Sequence, residues 1–343
     1  MEIGSEFWDV PSQEGDRKFL LSGRTALEYI LRDILSGHKV ESALLPSYCC
    51  HTMIEPFLRH EIPVRFYDVH FDREIGLCAK LPMARQNEIF YYMTYFGFSQ
   101  MSGMDLSEIR ASYEIIIEDQ THSWLIDRTQ SMADYSYTSY RKWAGFYGIA
   151  EAKKKAGCFI SLENQSHYEY NSMRKNAMLL KKQYIDEKAD TKQEFLRIFH
   201  EAEELLESDY VGYTPNVDSV VQLINVDFNL IKEKRRKNAT VLLNGLKEIP
   251  GLTPIYGNLS DVDTPLFFPV LVERDRDDVR RYLIEQQVYC PVHWPLSEYH
   301  EGISEIGKQI YHQELSLVCD QRYGEDDMER VVKLIAAYFN ERT

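Results

Sequence analysis

Short apolar runs alternate with helical segments through the first half of this chain, and that alternation limits the folds open to it. Strand-like runs occupy residues 43–46, 63–68, 89–93 and 113–117, and residues 23–35 carry apolar side chains at helical spacing. Strands that alternate with helices pair in parallel, because each connection crosses one face of the sheet. The sequence therefore predicts an α/β fold with a mostly parallel sheet flanked by helices.

The second half of the chain changes in character and predicts a smaller α+β unit. Residues 1–21 show no clear period and are interpreted as an N-terminal arm, and residues 22–212 as a large ligand-binding domain. A turn-rich segment around residues 209–215 marks the boundary. Residues 213–343 are predicted to form a smaller C-terminal domain that begins with a long amphipathic helix.

The net charge of the chain argues against two classes of partner. It is formally −15, whereas surfaces that bind nucleic acids or anionic membranes are basic. No apolar run approaches the ~20 residues needed to span a bilayer, and the first residues lack the pattern of a signal peptide. The six cysteines form no CxxC pair, which favours free thiols in a reducing compartment. We therefore expect a cytoplasmic protein that binds small molecules, without nucleic acid or membrane.

An acid and a lysine follow consecutive β-rich runs. Asp119 comes just after three isoleucines, and Lys142 follows the next run, three residues beyond Ser139. Open α/β sheets bind ligands at the carboxyl ends of their strands. An acid for the pyridine nitrogen, a lysine for a Schiff base and a hydroxyl for the phosphate are what pyridoxal phosphate (PLP) requires. The alternative for Asp119 is a helix cap or a structural ion pair; residues 153–155, three adjacent lysines, indicate an exposed loop.

Backbone N–H groups at the start of the first helix are candidates for binding an anion. Gly23, Arg24 and Thr25 follow Ser22 in a turn that opens this helix, and helix N-termini bind phosphate. Ordinary capping by Ser22 explains the same residues equally well. His122, just beyond the acidic pair, is either structural or a hydrogen-bond partner of the ligand.

Three other places contain residue types that support chemistry. The segment Cys49–His51 offers two thiols and an imidazole, but no second ligand pair stands at zinc spacing, so we predict a pocket wall and no metal. Arg322 is a candidate clamp for a carboxylate or phosphate, with an ion pair to Asp320 as the alternative. His293 lies in a proline-bounded turn, where it either packs between domains or lines the site.

The order of these motifs resembles the DegT-type aminotransferases, a family of fold-type-I PLP-dependent enzymes. The matching segments, in chain order, are Ser22–Leu27, Leu45–Tyr48, Tyr95–Gly97, Glu118–His122 and Ser139–Lys142. The resemblance implies an aminotransferase-like α/β fold and a homodimer whose active site is shared between subunits. It also implies transfer of an amino group from an amino acid, such as glutamate, to a keto or aldehyde acceptor. In many members of the family the acceptor is a nucleotide-linked keto-sugar of cell-surface glycan or natural-product biosynthesis.

The resemblance also implies a role for each matched residue. Lys142 corresponds to the Schiff-base lysine and Asp119 to the partner of the pyridine nitrogen, and both are predicted to be catalytic. The residues predicted to hold the cofactor are Lys142, Asp119, His122, Gly23, Arg24, Thr25, Ser139 and Cys50. The residues predicted to contact the substrate are Arg322, His293 and Tyr95.

The chain departs from the family pattern at three places, one of which is Trp143–Gly148, where the family often has a glycine-rich turn. Cys50 stands where the family stacks an aromatic side chain on the cofactor ring, which leaves Cys50, His51 or Tyr48 to cover it. The segment Tyr213–Asn216 matches one that the partner subunit sends toward the phosphate. Two alternatives therefore stay open: a PLP enzyme of another class, such as a dehydratase, and a non-catalytic sensor or partner protein. Dehydratases of this family have histidine in place of the lysine, and Lys142 argues against that class.

Overall fold

A computed structural model describes residues 15–127 and 131–341 of the chain, and this part contains two sheets surrounded by helices. The strands are β1 (Asp16–Leu20), β2 (Ser42–Pro46), β3 (Val64–Asp72), β4 (Gly76–Lys80), β5 (Glu88–Met93), β6 (Ile115–Asp119), β7 (Tyr135–Ser139), β8 (Ala150–Lys154), β9 (Leu252–Pro254), β10 (Phe268–Val272) and β11 (Glu314–Leu317). The α-helices are α1 (Gly23–Gly37), α2 (His51–Arg59), α3 (Leu106–Ser112), α4 (Tyr168–Asp186), α5 (Lys192–Ser208), α6 (Val217–Asn225), α7 (Phe228–Leu246), α8 (Arg276–Glu285), α9 (Glu305–Gln313) and α10 (Glu325–Asn340).

The main sheet has eight strands in the order β1-β8-β7-β6-β5-β2-β3-β4. Its five central strands, from β7 to β3, run parallel, and β4 and β8 run antiparallel to their neighbours. β1 runs antiparallel to β8, so β1 points the same way as β7. The carboxyl ends of β1, β2, β6 and β7 consequently lie at one edge of the sheet. The predicted α/β fold with a mostly parallel sheet is confirmed.

The central strands form the hydrophobic core, which explains their continuous apolar sequences. Every residue of β2, β5 and β6 is buried, as expected for strands covered on both faces. Helix α1 begins at Ser22, whose side chain accepts a hydrogen bond from the Thr25 backbone N–H at 3.1 Å. Its apolar face, including Ile30 and Ile34, packs into the same core.

A second sheet lies in the C-terminal part of the chain. Its three strands are antiparallel in the order β11-β10-β9, and α7 and α10 pack against each other beside it. None of the helices in the described ranges has both the length and the apolar character that crossing a bilayer requires. The predicted domain boundary near residue 212 stays a prediction.

The structure corrects the predicted long helix at the start of the C-terminal part. This stretch forms two helices, because α6 ends at Asn225 and Val226 adopts an extended conformation. Asp227 then caps α7 by accepting a hydrogen bond from the Leu230 backbone N–H at 3.0 Å. An aspartate at a helix N-cap stabilises a new start rather than a continuation, and apolar periodicity alone does not show this break.

Two assignments at the β1 edge were also wrong. Residues 16–20 of the predicted N-terminal arm form β1, and residues 1–14 lie outside the described part of the chain. The lysine run at residues 153–155 was predicted to form an exposed loop, but Lys153 and Lys154 belong to β8. Lys154 is tolerated there because its ammonium pairs with the buried carboxylate of Asp33 at 2.7 Å.

Candidate active site

A cavity opens at the edge where β1, β2, β6 and β7 end. Its volume is about 340 Å³. Seven of the eight residues predicted to hold the cofactor line it: Gly23, Arg24, Cys50, Asp119, His122, Ser139 and Lys142. The eighth, Thr25, is buried one residue further along α1, where its hydroxyl lies 2.8 Å from that of Ser22. The fold thus brings together residues that are separated by up to 119 positions in the sequence (23 to 142).

Asp119 lies at the carboxyl end of β6 and is fully buried. One carboxylate oxygen accepts hydrogen bonds from the hydroxyls of Tyr91 (3.0 Å) and Tyr137 (2.9 Å), and the other from the Thr121 backbone N–H (2.7 Å). Burial raises the pKa of this carboxyl, although all three hydrogen bonds lower it. No lysine, arginine or histidine in the described ranges pairs with Asp119. The site therefore holds a fixed carboxylate that lacks a cationic partner.

Lys142 follows β7 in a single turn of 3₁₀-helix, Tyr140–Lys142. Its side chain reaches solvent through the open mouth of the cavity but is surrounded by protein atoms on the other sides. This desolvation, together with the neighbouring Arg141 guanidinium, lowers the pKa of Lys142, while the charges of Cys50 and Glu203 oppose the effect. A lysine with a lowered pKa spends more time as the free amine, which is the nucleophilic form.

His122 is buried between the sheet and the C-terminal part of the chain. Its Nδ1 accepts a hydrogen bond from the Phe96 backbone N–H at 3.4 Å, which places the ring proton on Nε2. Burial, with His293 and Lys142 nearby, holds the pKa of His122 well below its usual range. The ring of Trp294 stacks on His122 at a centroid distance of 5.4 Å and also lines the cavity. The neutral imidazole therefore offers one N–H donor.

The start of α1 and the end of β7 approach each other at the far side of the cavity. A Cβ atom added to Gly23 would lie 3.3 Å from the Cβ of Ser139, closer than most such contacts, so glycine keeps this space open. The Ser139 hydroxyl is buried and has no hydrogen-bond partner in the described structure. A buried hydroxyl without a partner beside a helix N-terminus is suited to bind an anionic oxygen.

Helix α5 contributes two carboxylates that the sequence interpretation missed. Glu203 forms two hydrogen bonds with Arg141, at 2.7 and 3.1 Å, and Glu207 lies 3.6 Å from Arg24 and 2.8 Å from His51. The spacing of Glu203 and Glu207 puts both on one helix face. That spacing is the only sequence signal for them, and most charged helix faces are simply solvated.

The three candidates for covering the cofactor ring differ in position. Cys50 and His51, at the start of α2, both line the cavity. Tyr48 does not, because it is fully buried and its hydroxyl donates to the backbone carbonyl of His293. Two large aromatic side chains, Tyr137 and Trp294, also line the cavity.

The three residues predicted to contact the substrate lie outside this cavity lining. Tyr95 is fully buried, and its hydroxyl donates to the Tyr48 backbone carbonyl at 2.6 Å. His293 is buried behind His122, with its Nδ1 2.8 Å from the Ser316 hydroxyl. Arg322 pairs with Asp320 and lines a different cavity of about 610 Å³. Their predicted contact with a substrate thus receives no support from the cavity described here.

The segment expected to reach a partner subunit makes hydrogen bonds within its own chain. The Thr214 hydroxyl donates to the Gln165 carbonyl at 2.9 Å, and Asn216 caps α6 by accepting from the Ser219 N–H at 3.1 Å. Across residues 15–127 and 131–341, no group of three or more histidine, cysteine, aspartate or glutamate side chains is arranged to hold a metal ion.

Comparison with known proteins finds similarity in structure but not in sequence. No sequence model of a protein family and no curated protein matches the chain. Similar solved structures include DesV from S. venezuelae in complex with a ketimine intermediate, with a TM-score of 0.64, 15% identity, and coverage of 95% of this chain and 85% of that chain. They also include a DegT DnrJ EryC1 StrS aminotransferase from Brucella abortus, with a TM-score of 0.61, 14% identity, and coverage of 94% and 86%.

A third similar structure is the sugar aminotransferase CalS13 from Micromonospora echinospora, with a TM-score of 0.60, 13% identity, and coverage of 94% and 87%. In all three comparisons the likeness spans nearly the whole length of both chains. The fold that the motif order implied is thereby confirmed: this chain has the fold of the DegT-type sugar aminotransferases.

Proposed function

We propose that this protein is a PLP-dependent aminotransferase of the DegT type. It transfers an amino group from an amino acid, such as glutamate, to a keto or aldehyde carbon of a small acceptor, for which a nucleotide-linked keto-sugar is the candidate. The observation that carries the proposal is the convergence of Lys142, Asp119, His122 and Ser139 on one cavity. The fold supports it, since two of the similar structures are an aminotransferase and a sugar aminotransferase.

The polar groups of the cavity fit the cofactor. The unpartnered Ser139 hydroxyl and the open space at Gly23 suit a phosphate at the N-terminus of α1. At the other end, Asp119 offers a buried carboxylate that no cation of the described residues pairs with, which suits a protonated ring nitrogen. When bound, PLP supplies an aldehyde for the amino group and an electron sink for the negative charge that develops on the substrate carbon.

The negative charge of Asp119 would keep the ring nitrogen of bound PLP protonated. A cation beside it favours the ionised carboxylate, and the hydroxyls of Tyr91 and Tyr137 fix the orientation of that carboxylate. The Thr121 N–H fixes the second oxygen. The three donors are already in place, so the carboxylate needs no rearrangement to meet a protonated nitrogen.

Lys142 is the nucleophile and then the proton carrier. Desolvation lowers the pKa of Lys142, which favours the free amine that would react with the aldehyde of PLP. With PLP bound, the amine of Lys142 would be the group placed to remove a proton from the substrate carbon and to return it. The N–H of His122 would donate to an oxygen of the ligand, and the ring of Trp294 stacks on His122 and lines the same cavity.

The proposal includes a cytoplasmic homodimer with an active site shared between subunits, as in the resemblance above. All six cysteines are free, as expected in a reducing compartment. A non-catalytic role on the same fold is the second candidate. It is favoured by one observation: Arg24 and Arg141, two cations of the cavity, are already paired with carboxylates of α5.

The test is the visible absorption spectrum of the purified protein with added PLP, before and after glutamate. We expect a band of bound cofactor that fades when glutamate is added, and no such band in Lys142→Ala. Lys153→Ala is the matched control, because Lys153 lies on β8 outside the cavity lining and the variant should keep the band. A stable band that ignores glutamate would contradict the reaction, and absence of any band would favour the non-catalytic role.

A further inference from the structure

Three side chains at the cavity form a connected series to which the proposed transamination assigns no chemical step. The Cys50 thiol lies 3.9 Å from His51 Nδ1, and His51 Nε2 lies 2.8 Å from a carboxylate oxygen of Glu207. Cys50 and His51 sit at the start of α2, whereas Glu207 comes from α5. A thiol, an imidazole and a carboxylate in this order form the arrangement that activates cysteine nucleophiles, because the carboxylate orients the imidazole and the imidazole takes the thiol proton.

We propose that Cys50, His51 and Glu207 form a covalent modification site that adds the Cys50 thiol to α,β-unsaturated carbonyl compounds. The site goes beyond the proposed aminotransferase function and does not depend on it. Its nucleophile is a sulfur atom, whereas that function uses the amine of Lys142.

The electrostatic surroundings favour a thiolate at Cys50. Burial alone would raise the pKa of this thiol, but hydrogen bonds from His51 and from Thr52 at the start of α2 lower it below its usual value. The N-terminus of a helix also favours negative charge and therefore lowers the pKa of a thiol beside it. The pKa of His51 is raised to about 9, first by its contact with Cys50 and also by Glu207, while Arg24 lowers it. At neutral pH the proton thus resides on the imidazole.

The other cysteines lack this combination of a base and access to a cavity. Cys49 is fully buried, and burial holds its pKa well above the usual range. Cys78, Cys290 and Cys319 are also buried, and burial raises the pKa of all three, to about 12 for Cys290 and Cys319. Cys158 is exposed on a loop, and no histidine in the described ranges contacts its sulfur. Cys158 is therefore an internal reference for an ordinary accessible thiol.

The addition is balanced by the groups already present. The Cys50 sulfur attacks the β carbon, so a C–S bond forms while the C=C π bond breaks and leaves an enolate. The α carbon of that enolate then takes the proton that His51 had received from the thiol. The net change is addition of S–H across the double bond, and neither an oxidant nor a reductant is needed.

An adduct at Cys50 would occupy the cavity that contains Lys142, Asp119 and Ser139. The cavity volume of about 340 Å³ leaves little room for a second ligand beside an adduct. Modification and cofactor binding should therefore exclude each other, and modification of one thiol would stop the aminotransferase reaction.

The test labels the cofactor-free full-length protein at pH 7 with a limiting amount of N-ethylmaleimide and maps the product by mass spectrometry. We expect Cys50 to react roughly threefold or more faster than Cys158, since thiolate formation is partly offset by the lower nucleophilicity of a less basic thiol. His51→Asn and Glu207→Gln should slow Cys50 without changing Cys158. Glu204→Gln, an exposed position on the same helix, is the matched control and should change neither.

Faster labelling of Cys158 than of Cys50 would overturn the proposal, as would a Cys50 rate that is unchanged in His51→Asn. An unchanged Cys158 rate and an unchanged circular dichroism spectrum show that each variant is folded. Prior addition of PLP should protect Cys50. Fast labelling of Cys50 without protection by PLP would support this site while contradicting the proposed function. Cofactor binding with an unreactive Cys50 would contradict this site alone.

Discussion

Replacement of Glu203 by glutamine tests whether α5 is held to the cavity by charge. Glu203 accepts hydrogen bonds from Arg141 at 2.7 and 3.1 Å and lies 3.3 Å from Arg174. Burial would raise the pKa of its carboxyl, but the two guanidinium groups and Lys142 outweigh that effect and lower it from 4.5 to about 2. Glutamine keeps the shape of the side chain and removes the charge, so the variant isolates the electrostatic contribution.

The magnitude follows from the pKa and from exposure. A pKa difference between 4.5 and about 2 corresponds to about 3.4 kcal/mol of stability if it is fully expressed. The side chain is 46% exposed, so solvent screens these pairs strongly. We therefore expect Glu203→Gln to lower the free energy of unfolding at pH 7 by about 1 kcal/mol, at the upper end of exposed ion pairs.

The stabilisation by Glu203 is expected to decrease as the pH is lowered. Because the carboxyl of Glu203 has a lower pKa in the folded state than in the unfolded state, its stabilisation is fully present above pH 4.5 and disappears as the pH falls through about 2. Urea unfolding followed by circular dichroism should show the full difference from wild type at pH 7 and pH 5. At pH 3.5 the difference should shrink to roughly half.

A matched variant separates this contribution from a general effect of charge on α5. Glu204→Gln removes a neighbouring carboxylate whose recorded ion pair is with His200, four residues earlier on the same helix. It should change stability by no more than about 0.5 kcal/mol. Equal effects of the two substitutions, or a Glu203→Gln difference that does not shrink at low pH, would refute the assignment of Glu203 to the Arg141 pair.

Two further predictions concern the cofactor site. Gly23→Ala should weaken PLP binding about tenfold with little change in melting temperature, because the added methyl group meets Ser139 where the phosphate would bind. A fluorescence titration with PLP measures the affinity. An affinity equal to that of the wild type would contradict the assignment of the phosphate to this position. Asp119→Asn should remove the visible band of bound cofactor and alter the pH dependence of the cofactor-free protein. The carboxyl pKa of Asp119 is raised by burial, so its ionisation costs stability as the pH rises above 3.8, and the asparagine variant should lose less stability than wild type between pH 4 and 7.

The sequence predicts the site residues whose positions depend on the nearest strand end or helix start. Asp119 and Ser139 each end a buried strand, and β6 and β7 are neighbours in the sheet, so the topology places both near Lys142. Gly23 opens a helix directly after β1. For Asp119 and Ser139 a strand end fixes the position of the side chain and is readable from periodicity, whereas for Gly23 the helix start was predicted but the preceding strand was not.

Contacts that depend on tertiary packing were not predictable in this way. Glu203 and Glu207 reach the cavity because α4 and α5 form a hairpin that packs beside it, and no local pattern gives the direction of that packing. Tyr95 and His293 were placed at the substrate because they belong to suggestive motifs. Each is instead buried, with its polar atom bonded to another part of the core. A motif predicts which element carries a side chain, but it does not predict the hydrogen-bond partner of the polar atom.

The cavity is also where this chain departs most from ordinary rules of stability. Within the described ranges, Asp119 is a buried carboxylate without a cationic partner, and the Ser139 hydroxyl is buried without a hydrogen-bond partner. Both arrangements are unfavourable by themselves, since buried polar groups are normally paired. A ligand with a cationic nitrogen at one end and an anionic oxygen at the other would satisfy both, and an aldehyde between them would meet the exposed amine of Lys142. Asp119 and Ser139, which reduce the stability of the protein without a ligand, are thus residues that PLP would stabilise, and cofactor binding should raise the melting temperature more in the wild type than in Asp119→Asn.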